Sequence, residues 1–340
     1  MAIGYRTLQN TPVRESVGDA VRLLRHVNIN DDAIHSVANE WDSDDFELPA
    51  WRAPVFPDES EPNTSSEDVI DFLFIGNSIN FAFRHFDTGD KFTASYNGTK
   101  WEGAFGMWAC LKRAYDADRE ILSGNHLAQL TLNEVKNLFE PSDGNQIPML
   151  EERYHILRTV GDRLVTEYDG HFHNLISEGP SQLYADGEGI VDRLIRTFPS
   201  FDDTSELDGQ TIHFHKRAQL APGMAFGRFI NSDFFQIEDP SAFTVFVDYN
   251  LPNVLRSLGI LEYDQHLRKL IDRGNQLNKG DREEVELRVA AIAATDKLME
   301  LLNTKPNRTT PVYGPHMDYK LFSVRDGVET PVHKTRTTAY

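Results

Sequence analysis

Between Val69 and Phe86 the chain reads VIDFLFIGNSINFAFRHF, a run dominated by apolar and aromatic side chains in which Asp71 and Arg84 are the only ionised groups. Exposed apolar surface costs roughly 25 cal/mol per Å², so this run must lie inside. An Asp near its start and the Gly76-Asn77-Ser78 triplet make it unsuitable as a membrane span, which needs about 20 uninterrupted apolar residues. The rest of the chain must therefore build a core around it. With 340 residues, 40% hydrophobic and 11% aromatic, there is enough material to do so. The triplet at 76–78 is expected to break the run.

Immediately downstream, KFTASYNGTKWEG alternates around Asn97-Gly98, the preferred pair for a two-residue type I′ turn. This predicts a small β-hairpin near residues 91–103. Elsewhere the pattern is mostly helical, with apolar residues recurring at helical spacing. Helices are expected over 15–27, after Asp31 with Ile34 and Val37 inward, over 104–119, and over 132–139 behind a Thr131/Glu134 capping box. Others are expected over 148–168 and 187–198, and over 281–303, capped by Asp281. Residues 211–218, TIHFHKRA, read as a short strand or the entry to a helix. The expected fold class is thus mainly α, in one domain covering residues 1–340. Residues 42–66 read as an acidic surface loop pinned by Trp41, Trp51 and Phe56, with 58–67 its most mobile tract. Residues 304–340 read as a polar, turn-rich tail whose aromatics dock on the body.

Charge excludes several functions. With 53 Asp+Glu against 34 Lys+Arg, the net charge of −19 leaves no long basic surface for a nucleic acid duplex or an anionic membrane. A small phosphorylated ligand needs only a few local cations. One cysteine, Cys110, forms no internal disulfide, and Met1–Arg6 open no apolar segment of leader length. The expected setting is cytoplasmic or nuclear, where the sequons at Asn63, Asn97 and Asn307 stay unmodified. Protein partners are not legible.

The common catalytic motifs are absent: there is no P-loop, no G-x-G-x-x-G opening a helix, no H-E-x-x-H and no G-x-S-x-G. Two His pairs, His171/His173 and His213/His215, stand two residues apart. On a strand that spacing points both rings to one face, as a metal site requires. No third ligand is visible beside either, and 12 His in the chain produce such pairs by chance, so no metal is expected. FHKRAQ (214–219) gathers His215, Lys216 and Arg217 into a cationic group, fit for a phosphate or a carboxylate, or simply a solvated basic turn. In FTVFVDYNLPNVL, Asp248 follows an apolar stretch and precedes a helix with Pro252 in its first turn. It is either a cap or a partly desolvated carboxylate suited to stabilising a developing cation. In HMDYKLF, Asp318 sits beside aromatics, either an ordinary surface acid or a reader of the amine edge of a purine-like base.

These stretches, together with FIGNSINFAF (74–83), LTLNEVKNLF (130–139), LEERYHIL (150–157), RTFPSF (196–201), FVDYNLP (246–252), GDREEVELR (280–288) and MDYKLF (317–322), make the sequence resemble the queuosine-salvage proteins. The resemblance implies a helical core similar to the helix-hairpin-helix base-excision glycosylases. It also implies hydrolysis of queuosine 5′-phosphate to queuine and ribose 5-phosphate, with no metal or organic cofactor. It places the family's F-x-D-Y segment on Phe246, Asp248 and Tyr249, its K-R-A-Q segment on Lys216, Arg217 and Gln219, and its D-x-x-L-aromatic segment on Asp318, Leu321 and Phe322. Asp248 is the implied catalytic carboxylate. Phe246, Tyr249, Lys216, Arg217, Asp318, Phe322, Ser323 and Asn80 are the implied substrate-binding positions. The chain departs from its relatives where many have a His after the N-terminal Trp, here Val55, and where some have an acid, here Ser323. A non-catalytic base-binding protein on the same fold and a nucleic-acid base-excision glycosylase remain alternatives at this stage.

Overall fold

The computed structural model describes residues 7–306 and 308–340. Asn307, with its sequon, and the stretch Met1–Arg6 lie outside the described residues. The chain divides into two compact units. One is formed by residues up to 49, 203–219 and 238–337, the other by 50–202, 220–237 and 338–340. Fourteen α-helices and four two-stranded pairings of short strands make the described residues mainly α.

The apolar run anchors the second of these units. Ser65 caps the helix Ser66–Ser78 in a reciprocal box with Asp68, and every residue from Val69 to Ser78 is buried. The 76–78 triplet does not break this helix, which runs through it and ends at Ile79. Gly76 is there for space rather than for a turn: a Cβ would meet the Trp108 ring at 1.9 Å. Trp108 lies on the helix Ala104–Ala117 and stands 5.5 Å, centroid to centroid, from Phe72. The hairpin pairs Thr93–Tyr96 with Thr99–Glu102, and Asn97 and Gly98 both take positive φ, as a type I′ turn demands. The Thr131/Glu134 box opens the helix Leu132–Leu138. The helix Leu150–Glu167 starts two residues later than expected. Met149, in a left-handed conformation, precedes it, so Pro148 stands outside its first turn.

The 58–67 tract is densely tied. Arg228 reaches Glu59 at 2.7 Å and the Pro57 carbonyl, Arg119 donates to the Pro62 and Asn63 carbonyls, and Lys112 meets Glu61 at 3.0 Å. Serine and arginine partners hold the Asp58 carboxyl far below the usual carboxylate range.

In the first unit the helix expected over 15–27 is shorter. Pro12–Ala20 is α-helical and Val21–Leu23 tightens to a 3₁₀ turn. Val27 instead belongs to a strand, Val27–Ile29, paired antiparallel with Leu261–Tyr263. The helix Asp31–Glu40 is capped by Asn30 and buries Ile34 and Val37. Arg282–Thr304 is the longest helix and is buried on nearly all sides from Glu284 to Ile292. Asp281 does not cap it with its side chain, as expected, because that carboxylate turns back to accept from Asn278 N at 2.7 Å. A helix, Gly314–Val324, occupies the segment read as turn-rich, and Lys334–Arg336 pairs in parallel with Gln276–Asn278. No helix among the described residues is long and apolar enough to cross a membrane.

Candidate functional site

The site grows from a left-handed kink. The antiparallel hairpin Thr204–Leu207/Gln210–His213 delivers the chain to Phe214 and His215, after which the helix Lys216–Arg228 begins. Residues 211–218 therefore contain both the strand and the helix entry. His215 takes φ +49°, a conformation that costs a side-chain-bearing residue about 1–3 kcal/mol unless its surroundings impose it. Asp203 imposes it. Its carbonyl accepts from the amides of Phe214 and His215, and its Oδ2 accepts from Lys216 N at 3.2 Å. Asp203 is gripped by both guanidinium nitrogens of Arg288, at 3.0 and 2.5 Å, and that guanidinium lies 3.8 Å from the Phe214 ring centroid. Burial pushes the Asp203 pKa up, but Arg288 and the Lys216 amide outweigh it, and the carboxyl stays ionised below its ordinary range.

One turn into the helix, Gln219 fixes the segment that carries Asp248. Its Oε1 accepts from Thr244 N at 3.0 Å, and its Nε2 donates to Thr244 Oγ1 at 3.0 Å and to the Phe214 carbonyl at 3.1 Å. Arg14 secures the start of the same segment through the carbonyls of Ser241, Ala242 and Phe243. From the other side Gly314 presses against it, where a Cβ would meet Thr244 O at 2.3 Å.

Asp248 sits just ahead of the helix Asn250–Ser257, which carries Pro252 near its start. Its Oδ1 accepts from the amides of Asn250 at 2.7 Å and Leu251 at 3.3 Å, and its Oδ2 accepts from Asn250 Nδ2 at 2.9 Å. It does the work of a cap while remaining only partly buried. Asp318 Oδ1 accepts from Phe246 N at 2.8 Å, and its other oxygen has no hydrogen-bond partner among the described residues. Burial, reinforced by the negative charge of Asp248, pushes the Asp318 carboxyl up to about 7, against the opposing pull of the Phe246 amide and of Lys216. Lys216 is buried, and desolvation lowers its pKa while Asp248 and Asp318 pull it back up. The fold thus brings together two carboxylates and one ammonium, each close enough to act on the others.

The remaining expected residues separate. Lys216 and Arg217 answer to partly different charges: Asp248, Asp318 and Asp203 pull on Lys216 against Arg217, whereas Asp203 acts on the fully buried Arg217. Desolvation lowers Arg217 to about 10. Phe322 lies one helical turn after Asp318 on the same face, with the Arg325 guanidinium 3.5 Å from its ring centroid. Ser323 is about 140° round that helix from Asp318. It is exposed, and its hydroxyl donates to Lys320 O. Phe246 is buried edge-on to Phe243, and Tyr249 is half-buried. Asn80 belongs to the second unit, where its amide donates to Asn77 Oδ1 at 2.9 Å. Sequence reasoning missed Asp203, Arg288 and the strain at His215. An arginine amid the buried face of the 282–304 helix was the one available signal.

The family model described as "Queuosine salvage protein" matches residues 60–340 of this chain. The chain belongs to the queuosine salvage protein family. Curated relatives carry the name queuosine 5′-phosphate N-glycosylase/hydrolase. The one from Mus musculus is 30% identical over 302 residues, covering 86% of this chain and 88% of its own. Those from Bos taurus and Sphaerobacter thermophilus are each 28% identical, covering 96% and 94% of this chain and 98% and 95% of their own. In this queuosine salvage protein Val55 is completely buried, an apolar core residue with no group to offer a base.

Proposed function

We propose that this protein hydrolyses the N-glycosidic bond of queuosine 5′-phosphate, releasing queuine and ribose 5-phosphate. The arrangement of Asp248, Asp318 and Lys216 carries the proposal. As the bond between the anomeric carbon and the base breaks, its electrons leave with the base and positive charge builds on the ribose. Asp248, held by two backbone amides and Asn250, presents a fixed carboxylate to that cation. No water has to reorganise for it to do so. A water then adds to the anomeric carbon and loses a proton. The base departs as queuine once it has taken up a proton. A 7-deazapurine lacks N7, so help for the leaving group has to come from other edges.

Asp318, balanced near neutrality, is suited to reading the base through its unengaged oxygen. Phe246 and Phe322 supply flat surfaces, and stacking on a base is worth about 1–3 kcal/mol. Lys216 holds the 5′-phosphate or orients Asp248. Tyr249, beside Asp248, completes the proposed substrate-binding set, and no cofactor takes part. We also propose that the whole chain serves this one reaction. The deciding experiment incubates the protein with queuosine 5′-phosphate and follows queuine by mass spectrometry. Binding without release points to a non-catalytic binder, and release from a nucleic acid in preference to free nucleotide points to a base-excision enzyme.

A further inference from the structure

The pair His171/His173 is not isolated. Phe172–Ser177 is helical, with Phe172 and Leu175 completely buried, and Phe172 stands 5.5 Å from Phe74 of the helix Ser66–Ser78. This packing carries both imidazoles to Asp71, a carboxylate only 2% exposed on the 66–78 helix. Asp71 Oδ2 lies 2.8 Å from His171 Nδ1 and 2.9 Å from His173 Nδ1. Its other oxygen is held in place by His173 N at 2.8 Å. The rings are nearly parallel, 27° apart with centroids at 4.9 Å, and the donor atoms all lie within 4.8 Å of one another.

Two nitrogens aimed at one oxygen also describe three corners of a coordination polyhedron. With zinc–nitrogen and zinc–oxygen bonds of about 2.0–2.1 Å, tetrahedral ligand atoms stand roughly 3.3–3.4 Å apart. The two Oδ2–Nδ1 edges are about half an ångström shorter, and the candidate ligand atoms all lie within 4.8 Å of one another, so an ion fits once these two edges expand. The His171 and His173 side chains remain 37% and 29% exposed, which leaves an approach and room for a water as fourth ligand. Asp68 and Asp169 add negative charge near His171.

We infer that Asp71, His171 and His173 form a site for a divalent transition metal of the zinc type, bound through Asp71 Oδ2 and both Nδ1 atoms, which clasps the 172–177 helix to the 66–78 helix. On binding, each neutral ring carries its single proton on Nε2 in place of Nδ1. The site is independent of the reaction proposed above, and its test does not use activity. The intact protein, stripped with a chelator, is titrated with Co²⁺ and with Zn²⁺. The expected result is uptake of one ion with the intense d–d absorption of tetrahedral cobalt, a melting temperature raised by Zn²⁺, and competition between the two metals. His171→Ala and His173→Ala, which change half-exposed rings, should each weaken uptake at least about 100-fold while melting like the metal-free wild type. His266→Ala, in the separate exposed group of His26, Asp264, His266 and Glu283, should leave uptake unchanged. Absence of uptake at about 100 μM metal, or uptake indifferent to both His171→Ala and His173→Ala, overturns the assignment.

Discussion

Gln219 and Thr244 are joined through both ends of one amide, Oε1 taking the Thr244 backbone N–H and Nε2 giving to the Thr244 hydroxyl. Asp248 follows four residues later. The amide therefore sets where the carboxylate begins, although it lies at neither the base nor the sugar in the proposed reaction. Gln219→Leu keeps the volume and leaves the Thr244 N–H buried without its partner, a loss worth about 1–3 kcal/mol. Urea denaturation should register that cost. Steady-state kinetics should show kcat falling more than KM rises.

Asp248→Asn is nearly identical in shape and should fold normally. Queuine release should fall by about 10²–10³, the usual consequence of removing one fixed stabilising group. Mass spectrometry of released base against a matched thermal melt separates chemistry from folding. Near-normal turnover removes Asp248 from the mechanism.

Asp318 makes stability depend on pH in an unusual direction. Its carboxyl is raised to about 7 in the folded protein, above its ordinary value of 3.8. Between those two values the folded state holds more protons than the unfolded state, so this group makes the protein less stable as pH rises. Its contribution is fully present below about 4 and lost on passing through about 7. The difference in urea midpoint between wild type and Asp318→Asn should therefore shift in favour of wild type as the pH is lowered through this window. A pH-independent difference is the contrary outcome. In binding assays Asp318→Ala should mainly weaken nucleotide affinity.

Arg288 and Asp203 are both buried, and removing one partner strands the other's charge. Arg288→Met should cost about 3–5 kcal/mol, with Asp203→Asn/Arg288→Met recovering part of it. Because Asp203 also receives the Lys216 amide, single variants should lose turnover as well as stability. Denaturation curves and kinetics on the same four proteins of the cycle give both readouts.

Gly76→Ala places a methyl in the Trp108 ring and should destabilise by about 1–3 kcal/mol or more, since a tightly packed core relaxes little. Thermal melts test this directly.

Local chemistry was readable and distant pairing was not. Asn97-Gly98 and the Thr131/Glu134 box declare themselves because turn and cap are decided within a few residues. Asp208-Gly209, with φ of +49° and +80°, carries the same kind of turn signal and went unread. Gly76 looked like a breaker because sequence does not reveal that Trp108 will lie on it. Val27 looked helical because its strand partner, Tyr263, is far along the chain. Asp248, Lys216 and Asp318 were singled out through local pattern and family resemblance, and the fold makes them electrostatic neighbours. Asp203 with Arg288, and Asp71 with its two imidazoles, are long-range pairings that no spacing rule exposes. Ser323 sits on the right helix, but its angle is visible only once that helix is built.

The contact of Gly314 with the Thr244 carbonyl has a consequence for biosynthesis. The wall behind the Asp248 segment, and Asp318 itself, are translated after both Lys216 and Asp248. A nascent polypeptide therefore carries Lys216 and Asp248 before either has its neighbour, and the proposed site is complete only once Gly314 and Asp318 have followed.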